Sequence, residues 1–308
     1  MSAPSPITTT ALRSGGSATL AGIGFMLLGI FLFSCNDALG KWLLETYSVG
    51  QMLLIRSVAA MLLLAPLLIR EGLEPIRTAP RPVLQVVRVL LSTAEVAMFF
   101  WAVQYLPLAD TVTFYLAGPI YVTALSALFL GERVGWRRWS AVLVGFVGVI
   151  IALRPSTASF TWPALIALAG SFFFALLMIA TRTLRGTADT LLAAGQIGTT
   201  LLFGLVTAPF GWVAPSARDT GLMALLGIVA VLALMCVNRS LKLAPASVVV
   251  PYQYTMIVWA AALGYFVFGD LPHVTMLIGA VIIVLAGLYI FYREQLVRDG
   301  APPPPPPG

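Results

Sequence analysis

Charge is what this chain has least of. Only 10% of its 308 residues are charged and 59% are hydrophobic, with a mean hydropathy of +0.96. A soluble domain is roughly 45–50% apolar and about 25% charged, so a water-soluble core cannot hide this much apolar surface. Disordered chains are poor in the large apolar residues found here, which excludes that class as well. Two cysteines, Cys35 and Cys236, exclude a disulfide framework and a thiolate zinc cluster. A single histidine, His273, argues against histidine metal sites and relays. No Gly-Lys-Ser/Thr phosphate loop is present, so nucleotide-driven pumping by this chain is not expected. The net charge of +6 is scattered between apolar segments rather than gathered into a stripe, which argues against a nucleic-acid partner. No metal, cofactor or enzymatic activity is expected. The expected partner is the lipid bilayer.

Apolar runs are what the chain does have. A spanning helix needs about 20 mostly apolar residues, and ten such runs are placed at 20–44, 51–69, 83–105, 108–130, 136–153, 162–181, 190–210, 219–241, 246–268 and 272–292. The fold class is therefore an all-α integral membrane protein with ten transmembrane helices. With both termini cytoplasmic, 14 of the 18 Lys and Arg residues fall on the inner side, Lys41, Arg154 and Arg218 fall outside, and Arg56 lies within a span. That split follows the positive-inside rule. Residues 1–18 read as a cytoplasmic N-terminal tail, and 294–308, with the Pro302–Pro307 run, as a disordered Pro-rich tail. Under this topology Cys35 and Cys236 lie at opposite depths and cannot pair.

The chain also repeats itself. Leu106-Pro107-Leu108-Ala109 leads a run that ends in Gly131-Glu132, and Ala244-Pro245-Ala246-Ser247 leads one that ends in Gly269-Asp270. A shift of 138 residues carries Pro107 onto Pro245 and Glu132 onto Asp270. Residues 19–154 and 160–293 are thus expected to be two five-helix repeats. Five is odd, so the halves must insert in opposite directions, as an inverted repeat.

The Leu-Pro-Leu-Ala-Asp opening at Leu106, Gly118-Pro119 within the run and Phe129-Leu130-Gly131-Glu132-Arg133 at its end resemble the EamA domain of the drug/metabolite transporter superfamily. The second copy, Leu243 to Gly287, follows the pattern with Asp270 where Glu is usual. A narrower resemblance rests on Asn36-Asp37-Ala38-Leu39-Gly40-Lys41-Trp42, Tyr47-Ser48-Val49-Gly50-Gln51 and Arg56. It is to the branch that holds bacterial riboflavin importers and S-adenosylmethionine uptake carriers, the former looking closest. The resemblance implies a secondary transporter in the cell inner membrane, moving a small organic metabolite by alternating access. Riboflavin uptake is the first expectation. S-adenosylmethionine or another metabolite, and export of amino acids or metabolites, are the alternatives. An intramembrane enzyme would need a clustered catalytic pair or metal carboxylates, and a channel would not need inverted halves.

Charges inside spans nominate the site, since each costs roughly 2.5–3.5 kcal/mol at mid-membrane on insertion scales. Asp37, beside Asn36, and Arg56 stand at similar depths. They read either as an ion pair or as an outer gate that touches substrate. Glu95 lies mid-span on a face shared with Arg88, Ser92 and Phe99, and reads as a proton site or as a structural partner of an Arg or a hydroxyl. Lys41 reads as an interfacial residue, and Glu132 and Asp270 as structural. Polar aromatics complete the list of candidates. Trp101 closes the third run, Phe114 and Tyr115 lie in the fourth, and the 138-residue shift maps that pair onto Tyr252 and Gln253. Flat rings on both halves suit a planar heteroaromatic ligand, and the same residue types also form interfacial belts. The sequence leaves the oligomeric state open.

Overall fold

The computed structural model describes residues 10–71, 80–129, 136–153, 161–184, 187–243 and 249–299. Helix is the only regular structure among them. Within a bilayer no water is present to satisfy the backbone, so each segment must close its own hydrogen bonds. The elements are α1 (Thr10–Leu43), α2 (Val49–Glu71), α3 (Pro82–Tyr105), α4 (Leu108–Tyr115), α5 (Gly118–Phe129), α6 (Trp136–Leu153), α7 (Trp162–Thr183), α8 (Asp189–Thr207), α9 (Ala217–Leu243), α10 (Met256–Phe268) and α11 (Val274–Asp299). Short 3-10 turns at Ala208–Gly211 and Val250–Thr255 close α8 and open α10.

Six of these helices are long and apolar enough to span a membrane, and Trp139–Ala152 and Val274–Tyr289 are shorter apolar helices. The remaining two expected spans, at 108–130 and 246–268, are each interrupted where the sequence places a proline, Pro119 and Pro251, which break or kink helices. The fourth is two helices. Pro119 has no N–H to return to the preceding turn, so α4 stops at Tyr115. Ala117 then restarts the chain, its carbonyl accepting from the N–H groups of Ile120 and Tyr121 at 3.0 and 3.1 Å. In the ninth span a proline, Pro251, stands in the first turn of the Val250–Thr255 segment, which tightens to 3-10 geometry before α10 begins. The start of α10 at Met256 lies 138 residues after the start of α5 at Gly118. The loop turns at Glu132 and Pro245, and the C-terminal Pro-rich run, lie outside the described residues.

Large apolar side chains face outward all around the bundle, Phe266 being 82% exposed, because lipid rather than water surrounds them. Inside, helices meet through small residues. A Cβ added to Gly279 of α11 would fall 2.7 Å from the carbonyl oxygen of Gly148 on α6, so that crossing requires glycine on both sides. A Cβ on Gly227 of α9 would strike the Arg56 carbonyl of α2. The principal pairs are α1 with α9, α3 with α7, α2 with α8 and α6 with α11; α2 also touches α9, α3 touches α8, α5 touches α7 and α1 touches α10.

Candidate functional site

Three successive helices deliver three charges to one interior region. Asp37 comes from α1, Arg56 from α2 and Glu95 from α3. The Arg56 guanidinium interacts electrostatically with both carboxylates, and Asp37 and Glu95 also feel each other. None of the three is in direct ion-pair contact with another; among the described residues the one ion pair is elsewhere, at Lys41–Asp270. Of the alternatives for Asp37 and Arg56, a closed ion pair is therefore not what forms. Asp37 is 7% exposed, and its Oδ2 is buried with no hydrogen-bond partner. An unsatisfied buried carboxylate oxygen is costly, and such groups in native structures call for a functional explanation.

The face expected to carry Glu95 does turn inward. Arg88 and Ser92 are buried and Phe99 is 7% exposed. Arg88 is not the partner of Glu95, however. Its Nε donates to Thr181 Oγ1 at 2.9 Å and its Nη1 to the Leu192 carbonyl at 3.0 Å, which ties α3 to α7 and α8.

Aromatic rings wall the charges. Tyr115, the last residue of α4, donates its hydroxyl to the Glu95 backbone carbonyl at 3.2 Å. Its ring stands edge-on to Phe99 at 5.1 Å and tilts against Phe174 of α7 at 6.4 Å. Phe99 in turn meets Phe100 edge-on at 5.3 Å. Phe100 carries the Arg56 guanidinium over its face, 5.3 Å from the ring centre, and fills the space that a side chain at Gly40 would need. Sequence reasoning passed over Phe100 and Phe174. The one available signal for Phe100 was Gly40, a turn beyond Asn36 and Asp37 on α1.

The other candidates divide. Phe114 is buried in the main core. Asn36 is buried, and its Nδ2 donates to the Leu226 carbonyl of α9 at 2.6 Å. Tyr252 packs with Met26, Ile30 and Val249 in a separate small cluster. Gln253 is half-buried in the 3-10 turn. Trp101 is 39% exposed and lies against Phe203 of α8. The structure thus brings Asp37, Arg56, Glu95, Phe99 and Tyr115 together and places Trp101 and Tyr252 apart from them. Tyr254 Oη and Trp259 Nε1 are also buried without partners. Trp259, which sequence reasoning did not single out, packs edge-on against Phe31 of α1. No group of three or more His, Cys, Asp or Glu gathers among the described residues.

One end of the bundle is fastened across the chain. Lys41 Nζ reaches Asp270 Oδ2 at 2.7 Å and lies 4.6 Å from the Phe268 ring centre. Lys41 is therefore a bridge between distant segments, not a free interfacial residue. Tyr47, in the turn after α1, donates to Asp219 Oδ2 at 2.6 Å, and that bond to a carboxylate raises the phenol above its ordinary range. The fully buried Gln51 amide donates to the Val213 carbonyl at 2.6 Å and accepts from the Val213 N–H at 3.0 Å. At the other end, Ser240 Oγ donates to the Gly22 carbonyl at 2.6 Å and Gln85 Nε2 to Thr187 Oγ1 at 2.9 Å.

The model of the EamA-like transporter family matches this chain twice, over residues 20–154 and 161–292. The chain belongs to the EamA-like transporter family. It is a multi-pass transporter of the inner membrane and not an enzyme. Proteins similar to it include an S-adenosylmethionine uptake transporter of Rickettsia felis, 28% identical over 90% of this chain and 94% of its own length. A riboflavin transporter of Vibrio cholerae is 29% identical over 67% and 70%. A pseudopaline exporter of Pseudomonas aeruginosa is 28% identical over 86% and 94%. One solved crystal structure superposes with a TM-score of 0.58 over 92% of this chain and 99% of that one, at 20% identity, which is a likeness of fold. Within this EamA chain, residues of the narrower sequence resemblance turn out to be fasteners. Asn36, Lys41, Tyr47 and Gln51 all bond to the second half.

Proposed function

We propose that this chain is a secondary carrier that moves a small organic metabolite by alternating access, with its substrate held at Asp37, Arg56 and Glu95. The observation that carries the reading is the trio itself: three interior charges from three helices, mutually in range yet not in contact, beside a carboxylate oxygen with no partner. Charges kept in a membrane interior are rare, face the bundle interior and mark substrate and ion pathways.

The carrier is built as two inverted five-helix halves, 19–154 and 160–293, with both termini cytoplasmic. The double family match, the interruption recurring 138 residues on and the distribution of Lys and Arg support this. So does the helix pairing. If α1, α2, α3, α5 and α6 exchange places with α7, α8, α9, α10 and α11, the pairs α1–α9 and α3–α7 swap, as do α2–α9 and α3–α8. The α2–α8 and α6–α11 pairs return to themselves. That exchange fits a twofold relation between the halves, and five spans in each half would put its axis in the membrane plane. The fastened end, with Lys41, Tyr47 and Gln51, is then the outer side.

Two substrates are favoured, S-adenosylmethionine and riboflavin, both flat-ringed compounds named for relatives of this chain. The test is uptake by purified protein in proteoliposomes, each compound run in parallel. A carrier gives saturable uptake and counterflow: preloaded unlabelled substrate speeds entry of label. Flux that rises linearly with concentration and ignores preloading overturns the carrier reading.

A further inference from the structure

We infer that the interior site selects a small organic ligand of net positive charge. The inference rests on the carrier reading above and deepens it by naming the substrate class.

A count of nearby cations leads to it. Two carboxylates, Asp37 and Glu95, share one guanidinium, Arg56. Lys41 sits one turn beyond Asp37 on the same face of α1, where it would neutralise the second carboxylate. It is drawn away instead, to Asp270 at 2.7 Å and to the Phe268 ring. Arg88, two turns before Glu95 on α3, is engaged with Thr181 and the Leu192 carbonyl. Arg218, at the start of α9, stands over Trp42 at the fastened end. With both acids ionised the trio is one positive charge short, and the partnerless Asp37 Oδ2 marks where the shortfall lies. An uncompensated charge in a low-dielectric interior is strongly unfavourable. A ligand that brings the missing positive charge removes that cost on binding. A neutral ligand leaves it in place, so discrimination comes from the unpaired carboxylate as much as from new contacts.

The two favoured substrates differ in this respect. S-adenosylmethionine carries a sulfonium, an ammonium and one carboxylate, for a net charge of +1. Riboflavin is neutral. S-adenosylhomocysteine supplies the close control, since it keeps the adenosine and amino-acid parts and lacks only the sulfonium methyl and its charge.

The experiment measures binding of these three compounds to the purified full chain in detergent, and counterflow of each in proteoliposomes. Expected is at least ten-fold tighter binding of S-adenosylmethionine than of S-adenosylhomocysteine, with riboflavin not competing. Asp37→Asn and Glu95→Gln, each verified as folded by gel filtration and thermal melting, should bring the ratio between the first two compounds toward one. Equal binding of the homologue of zero net charge means that a proton, not the ligand, balances the site, and overturns the inference. Riboflavin binding as tightly as S-adenosylmethionine, no binding of S-adenosylmethionine, or an unchanged ratio in both variants overturns it as well. The two readings fail separately. Counterflow of a neutral compound keeps the carrier and removes the charge rule. Tight, charge-selective binding without counterflow of any probe keeps the charge rule and removes the carrier.

Discussion

The two halves of this chain match the same family model and differ in chemistry. In the first, α1, α2 and α3 each place a charge in the interior. In the second, α7, α8 and α10 hold no Asp, Glu, Lys or Arg along their apolar runs, and those of α9 stand near its ends. What the second half turns inward is neutral: Ser171, Thr200, Tyr254 and Trp259. Both halves must keep their packing surfaces, because helices of one half cross helices of the other through small residues, as at Gly148 and Gly279. Interior charge is expensive, and one copy suffices to supply it. Packing between the halves therefore constrains the scaffold far more tightly than the site.

That contrast can be broken most forcibly at Arg56. Arg56→Leu leaves two interior carboxylates with no cation near them, and an uncompensated charge at mid-membrane costs roughly 2.5–3.5 kcal/mol on insertion scales. Expression or thermal stability should fall steeply and transport should disappear, as read by melting in detergent and by uptake. Adding Asp37→Asn to Arg56→Leu should recover part of the stability but not the transport. The reversal Asp37→Arg with Arg56→Asp should rescue neither, because the two side chains are not in direct contact. Rescue by the reversal would show that they pair after all.

The scaffold is tested next, at the crossing of α6 and α11. Gly279→Leu pushes a side chain into the Gly148 carbonyl and Ala152, and overpacking of this kind costs about 1–3 kcal/mol. The expected result is a lower melting temperature and lower yield, with the substrate affinity of the surviving protein unchanged. A shift in affinity without a shift in melting would place the crossing within the site instead.

The interrupted spans offer a smaller effect. Pro119→Ala restores a backbone donor and favours a continuous helix from Leu108 to Phe129. A few-fold fall in exchange rate is expected, with binding nearly unchanged. An unaltered rate would make the break a packing feature only.

The smallest effect belongs to the Lys41–Asp270 bridge. Its side chains are partly exposed, 14% and 30%, and pairs of that kind contribute about 0–1 kcal/mol. Asp270→Asn should lower the melting temperature only slightly. It also frees Lys41 to turn toward Asp37, so preference for a cationic ligand should weaken more than stability does. Preference unchanged in Asp270→Asn would mean that Lys41 does not reach the cluster.

Hydropathy alone determined that this chain lives in a membrane and which runs cross it, because a spanning helix must satisfy its backbone locally and show lipid an apolar surface wherever it packs. Pro119 and Pro251 announced the interruptions for a similarly local reason, the missing N–H. The interior placement of Asp37, Arg56 and Glu95 was legible too, since lipid-facing charge is too costly to keep. Their partners were not. Whether Asp37 touched Arg56, whether Arg88 served Glu95 and where Lys41 pointed all depended on which helix came alongside. Lys41 meets Asp270 across 229 residues, Arg88 meets Leu192 across 104, and Phe100 finds its place beneath Arg56 only because Gly40 leaves room for it. Helical periodicity reports the face on which a residue stands and says nothing of what is packed against that face. The tertiary structure alone decided that two of the nearby cations were bonded elsewhere, and that one guanidinium was left between two carboxylates.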